Sequence, residues 1–165
     1  MNGGGPPYLG KFRGVVTDTR DPLQLGRVRA RVPDVFGDRE SGWALPAAPY
    51  AGKGVGFFMI PPVEASIWME FEHGDPDYPI WTGCFWGNGE VPASPANAEI
   101  KMIKTQTATI TLNDTSGSNG ILIETTSGMK VEIKTAGIEI SNGQGANIKL
   151  NGPTVSVNDN ALAVT

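Results

Sequence analysis

The chain has 165 residues, a formal net charge of −4, one cysteine and one histidine. That length fits one ordinary domain with an appendage, and no apolar run approaches the roughly 20 residues that a membrane-spanning helix needs. The acidic balance argues against a dedicated nucleic-acid binder, and a lone cysteine excludes a disulfide within the chain.

The start, Met1-Asn2-Gly3-Gly4-Gly5-Pro6-Pro7, lacks the basic and apolar blocks of a secretory signal, so the product is expected to stay in the cytoplasm until assembly. Tyr8 to Thr17 reads as a first strand, stopped by Asp18-Thr19-Arg20-Asp21-Pro22. Gly26 to Val32 alternates strictly, with Arg27, Arg29 and Arg31 on one face and Val28, Ala30 and Val32 on the other, until Pro33 ends it. After a polar loop from Val35 to Gly42, Trp43-Ala44-Leu45-Pro46 reads as a third strand. Gly52-Lys53-Gly54 is no phosphate loop, because the Gly-x4-Gly-Lys-[Ser/Thr] spacing is absent and no helix follows. From Ser66 to Glu72, Ile67, Met69 and Phe71 alternate with Trp68, Glu70 and Glu72; His73 to Asp77 turns the chain, and Pro79 to Trp86 returns. Five strands and little helix predict a small closed β-barrel.

Three features of this half invite a chemical reading. The arginine stripe could track phosphates on an oligonucleotide-binding type of barrel, but no spaced aromatic platform accompanies it, and a solvated face or a protein contact fits better. The cluster Glu70, Glu72, His73, Asp75 and Asp77 lies on an outer strand face and a turn, where aspartate and glycine serve the turn itself, so neither catalysis nor metal binding is expected of it. Cys84, among apolar neighbours, reads as a small buried core residue.

All 13 aromatic residues precede Val91, and the segment from Gly87 to Asn97 has the composition of a linker. Beyond it, apolar pairs two residues apart recur: Ile110/Leu112, Ile121/Ile123, Val131/Ile133, Ile138/Ile140, Ile148/Leu150, Val155/Val157 and Leu162/Val164. Each pair reads as one short strand, and the intervening glycine, asparagine, serine and aspartate residues read as turns. The regular spacing is that of a β-solenoid. Each strand carries too few aliphatic side chains to build a core from one copy, so a partner must cover the inner face. Three copies wound around one axis would direct the apolar pairs inward and pair strand edges between chains, giving a triangular rod of roughly 30–35 Å at about 4.8 Å per strand.

Taken together, Leu25-Gly26-Arg27-Val28-Arg29-Ala30-Arg31-Val32-Pro33, Ser41-Gly42-Trp43-Ala44, the run from Ala51 to Pro61 and the run from Trp68 to Gly83 resemble, in order, the barrel of contractile-tail spike proteins. That family includes phage baseplate assembly protein V, the T4-type central spike and the VgrG proteins of type VI secretion. The resemblance covers roughly Leu9 to Asn88. It implies an all-β homotrimer with an N-terminal OB-fold barrel over residues 9–88, after a flexible stretch 1–8. A linker over 89–99 then leads into an intertwined triple-stranded β-helix over 100–165.

The function implied is that of a structural central spike, seated on a trimeric hub protein under the tail tube and driven through the target cell envelope. No catalytic constellation, cofactor motif or nucleic-acid partner is expected, and the segment from Gly87 to Glu99 is too short for the lysozyme domain of the T4-type spike. With only about eight residues before the barrel, the hub is expected to be a separate polypeptide. The tail has no histidine, so the His-x-His metal apex of some phage spikes does not carry over. The expected trimer core consists of Ile110, Leu112, Ile121, Ile123, Val131, Ile133, Ile138, Ile140, Ile148, Leu150, Val155 and Val157. A conical tip protein of the PAAR type is expected to cap Leu162, Ala163, Val164 and Thr165.

Overall fold

Period-two alternation makes strands wherever proline and glycine leave the backbone free to extend, and strands dominate here. The computed structural model describes residues 6–118, 120–159 and 161–164, and the chain divides into two units, Met1–Gly89 and Glu90–Thr165. Thr165, the last of the expected tip residues, lies outside the described residues, as do the side chains of Ala163 and Val164.

The first unit contains β1 (Phe12–Asp18), β2 (Arg29–Arg31), a short helix α1 (Pro33–Phe36), β3 (Leu45–Pro46), β4 (Ala51–Gly52), β5 (Val55–Gly56), β6 (Ser66–Phe71) and β7 (Pro79–Cys84). The main sheet has the order β2-β1-β6-β7-β3, antiparallel except for the parallel pair β3 and β7. Its two outer strands meet through Val28 and Ala44. The Ala44 N–H donates to the Val28 carbonyl at 2.8 Å and the Val28 N–H donates back at 3.2 Å, which closes the sheet into a barrel.

Inside the barrel, Val16, Val28, Ala30, Val32, Ala44, Ile67 and Met69 are completely buried, and Phe71 nearly so. The alternation read from the sequence thus sends Val28, Ala30 and Val32 inward, and Ile67, Met69 and Phe71 with them. Tyr8, Phe12 and Phe36 pack their rings around Phe71 or one another at 5.6–6.1 Å, which seals one side of the core.

Three local expectations change. Pro33, expected only to stop a strand, also opens α1, because its missing N–H is one that a helix start leaves unpaired anyway. The turn after β6 contains a 3₁₀ helix, Glu72–Gly74, in which His73 adopts φ 52°. Cys84 is exposed, not a buried core residue: a bulge leaves Thr82 outside the β6–β7 register, and Cys84 falls last in β7. Partial desolvation still raises its thiol pKa above the ordinary value, which disfavours the nucleophilic thiolate.

The second unit is one sheet of eight strands: β8 (Ile100–Lys104), β9 (Ala108–Asn113), β10 (Gly120–Thr125), β11 (Lys130–Lys134), β12 (Gly137–Ser141), β13 (Asn147–Asn151), β14 (Thr154–Val157) and β15 (Leu162–Val164). Each strand pairs antiparallel with the next along the chain. Seven strands were expected; β8 escapes the pattern because Lys101 stands opposite Leu112, at a position the other strands fill with aliphatics.

Within the chain, successive strands are joined edge to edge, because several turns are too short to carry the backbone to another face. β11 and β12 are separated by Thr135-Ala136 alone, and β13 and β14 by Gly152-Pro153. A two-residue connection returns a strand beside its predecessor.

Candidate functional site

Residues directly opposite one another on neighbouring strands share a face, as do residues two apart along a strand. The observed register therefore assembles the expected apolar positions into two adjacent columns. Leu112, Ile121, Ile133, Ile138, Leu150 and Val155 follow one another across the sheet, and Ile110, Ile123, Val131, Ile140, Ile148 and Val157 run beside them. Ile103 extends the second column at one end and Leu162 at the other.

The burial of the two faces is the reverse of what a folded monomer shows. Ile103, Ile110, Leu112, Ile121, Ile123, Ile133, Ile138, Ile140, Ile148, Leu150 and Val155 keep between 36 and 48 % of their surface exposed, while Val131 and Val157 are half-buried. Every buried apolar residue among those described belongs to the barrel. On the opposite face of the C-terminal sheet, Thr111, Leu122, Glu132, Glu139 and Lys149 are half-buried and Ser156 is buried.

That opposite face is held by charge. Glu132 and Glu139 stand directly across from each other, a like-charge pairing that costs stability unless neutralised. Lys130 neutralises it, its Nζ lying 3.3 Å from each carboxylate, and Lys134 reaches Glu132 at 2.6 Å. Burial works against the Lys130 ammonium, but hydrogen bonds to Glu139 and Glu132 outweigh it and raise its pKa. The hydrogen bond from Lys134, opposed by burial and helped by Lys130, lowers the pKa of Glu132. Further along, Lys149 pairs with Asp159 at 2.5 Å. A face satisfied by its own ion pairs needs no partner; the apolar face does.

Two arginines of the barrel stripe, Arg27 and Arg29, are likewise engaged within the chain. Asp21 accepts the Arg27 guanidinium at 2.6 and 3.0 Å, together with the backbone N–H groups of Leu23, Leu25 and Arg27. Arg27 and Arg29 also lie over the Trp43 ring, at 5.7 and 4.9 Å from its centre, and Arg29 approaches Glu40 at 3.9 Å. In the acidic cluster, Glu70 pairs with Lys11 at 3.2 Å, and Asp75 accepts the Asp77 N–H at 3.0 Å, the turn role its residue type suggests.

The Asp21–Arg27 pair has side chains only 4 and 16 % exposed, and it organises the whole β1–β2 loop. The Arg27 hydrogen bond, opposed by burial and reinforced by the three backbone N–H groups, holds the Asp21 carboxyl well below the usual carboxylate range. A carboxyl with a depressed folded-state pKa contributes stability that is complete above its unfolded value and lost as pH falls through the folded one. The melting midpoint of the barrel is expected to fall as pH is lowered from about 5 to about 2, and Asp21→Asn is expected to flatten that dependence. Thermal denaturation followed by tryptophan fluorescence reads both, since all four tryptophans belong to the first unit. An unchanged pH slope in Asp21→Asn would show that other carboxylates dominate.

Comparison with known proteins agrees with the two-unit division. Residues 12–86 match the model of the type VI secretion system/phage-baseplate injector OB domain, and residues 99–163 match the phage baseplate V C-terminal trimerisation domain. The chain is also 32 % identical, over 71 residues, to the type VI secretion system spike protein VgrG4b of Pseudomonas aeruginosa. That similarity covers 40 % of this chain and 9 % of the relative, so the chain spans only a small part of that protein's length. With an injector OB domain and a baseplate V trimerisation domain in succession, the chain belongs to the phage baseplate V and VgrG-like spike family.

Proposed function

We propose that the chain is the structural central spike of a contractile injection machine, a phage tail baseplate or a related injection particle, and that it acts as a homotrimer. The observation carrying this reading is the exposed pair of aliphatic columns in a domain whose family is defined by trimerisation. Three sheets, one from each chain, would turn their columns toward a common axis and leave the ion-paired faces outward. Covering the remaining exposed surface is worth about 1 kcal/mol per side chain, on the order of 10 kcal/mol per chain. Summed over three chains, about 30 kcal/mol, that is enough to offset two association steps at about 4–15 kcal/mol each.

The mechanism is stiffness. Each sheet satisfies its backbone hydrogen bonds along its own length, and a dry core along the axis resists shear between the sheets. The barrel would seat on a trimeric hub protein beneath the tail tube. The β15 end, with Leu162, would face the target envelope beneath a conical PAAR-type tip. Force delivered by sheath contraction then passes through a part that need perform no chemistry. Assembly would take place in the bacterial cytoplasm, before the particle is released or anchored.

Light scattering on the purified protein tests the trimer directly: a mass of three times 17.5 kDa is expected, constant on dilution. A stable single-chain mass would overturn the reading. Electron microscopy of intact particles then tests the placement, with the rod expected on the axis beneath the tube and additional density beyond its β15 end.

A further inference from the structure

The hairpin formed by β4 and β5 stands apart from the barrel sheet and pairs only with itself, Ala51 with Gly56 and Gly52 with Val55. Directly after it come Phe57, Phe58 and Met59, which are 58, 76 and 59 % exposed. Three consecutive large apolar side chains at that exposure form a patch of the kind that marks a protein contact. The patch continues onto the barrel: the Phe58 ring lies against Gly26, and the neighbouring Leu25 and Leu45 are also exposed.

The segment is held in shape, not left loose. The Phe57 N–H donates to the Tyr50 carbonyl at 2.9 Å, and a Cβ on Gly56 would lie 2.7 Å from that same carbonyl, so only glycine permits the closure. A preformed hairpin loses little conformational freedom on docking. Its chemistry also narrows the occupant. From Ser41 to Val63 the only charged residue is Lys53, which leaves a single charge for a polyanion and none for a cation.

We infer that the apolar patch at Phe57, Phe58 and Met59 is covered by the barrel of a second copy of this chain. This rests on the trimer reading given above. The trimerisation domain follows the barrel after the short segment 90–99, so three barrels are confined near one another once the sheets associate. Such tethering gives an effective concentration in the millimolar range, at which a modest apolar contact is fully formed. On a three-fold axis every barrel presents the patch in the same way, and one contact between neighbours is repeated three times. The barrels would then form a closed ring, not three independent beads.

The test uses the full-length chain with the photoreactive residue p-benzoylphenylalanine in place of Phe58, purified without other proteins. Its mass is measured first by light scattering, and the sample is then irradiated and run on a denaturing gel. With a three-chain mass, the expected result is covalent species of two and three chains, in a yield unchanged by tenfold dilution. A three-chain mass without cross-links overturns the ring and leaves the patch to a different protein, while the trimer stands. Cross-links that fade on dilution also overturn it, since they report collisions between particles. A single-chain mass brings down the trimer itself, and the ring with it.

Discussion

Ile133→Asp is expected to convert a three-chain particle into single chains while leaving the barrel folded. In the isolated sheet Ile133 is 41 % exposed and sits between Ile121 and Ile138 in its column. An aspartate there disturbs one strand by no more than about 1 kcal/mol, the whole span of strand propensities. The large effect arises only if the column is covered. Three carboxylates would then meet near one axis without counter-charges, each costing several kcal/mol to desolvate. The sum is of the same order as the stabilisation left to the assembly, and the three isoleucines' own burial is lost as well, so light scattering should give 17.5 kDa instead of three times that value. Thr111→Asp, on the other face of the same sheet, is the control and should keep the three-chain mass, because that face carries the polar and ion-paired side chains and lies away from the aliphatic columns. If Ile133→Asp also retained the three-chain mass, the columns would not be the trimer core.

What the sequence disclosed about this molecule, and what it hid, follows from the range of each interaction. Period two is a local property, so Ile67, Met69 and Phe71 could be assigned to the barrel interior and the twelve aliphatics to one face of the tail without knowing any partner. Pairing is not local. Nothing near Leu45 announces a parallel partner at Ile80, and nothing near Val28 announces that Ala44 will close the barrel.

The same limit applies to the tail. A repeat of apolar pairs is compatible with strands that pair along one chain or around three, and only the turns distinguish them. Two-residue connections such as Thr135-Ala136 were visible in the spacing, yet they carry that meaning only once strand ends are known to a residue. Cys84 was misplaced for a related reason: its neighbours are apolar, but exposure is decided by the bulge opposite Trp68 and Met69. The apolar run Val55 to Ile60 shows the converse, since composition alone does not separate a core strand from an exposed hairpin.

Gly137→Ala is expected to be the most damaging of the small substitutions in the tail. Gly137 opens β12 at φ 152°, and a Cβ built there would lie 2.1 Å from the Leu150 carbonyl oxygen and 2.6 Å from the Asn151 side-chain oxygen. Both obstacles belong to β13, and the carbonyl is backbone, so relief requires moving one strand away from its neighbour. The conformational strain costs about 1–3 kcal/mol and the overpacking about as much again. In a trimer this is incurred three times. Gly152→Ala separates the two causes. Gly152 also has positive φ, 53°, but open space where its Cβ would go, so it bears the strain without the collision. Its cost should stay near 1–2 kcal/mol. Chemical denaturation of the three proteins, followed by far-ultraviolet circular dichroism, should therefore place Gly137→Ala well below Gly152→Ala, and Gly152→Ala a little below the parent. Equal midpoints for the two variants would mean that β12 and β13 separate freely at that end, and the sheet would then lack the continuity that a rod under axial load requires.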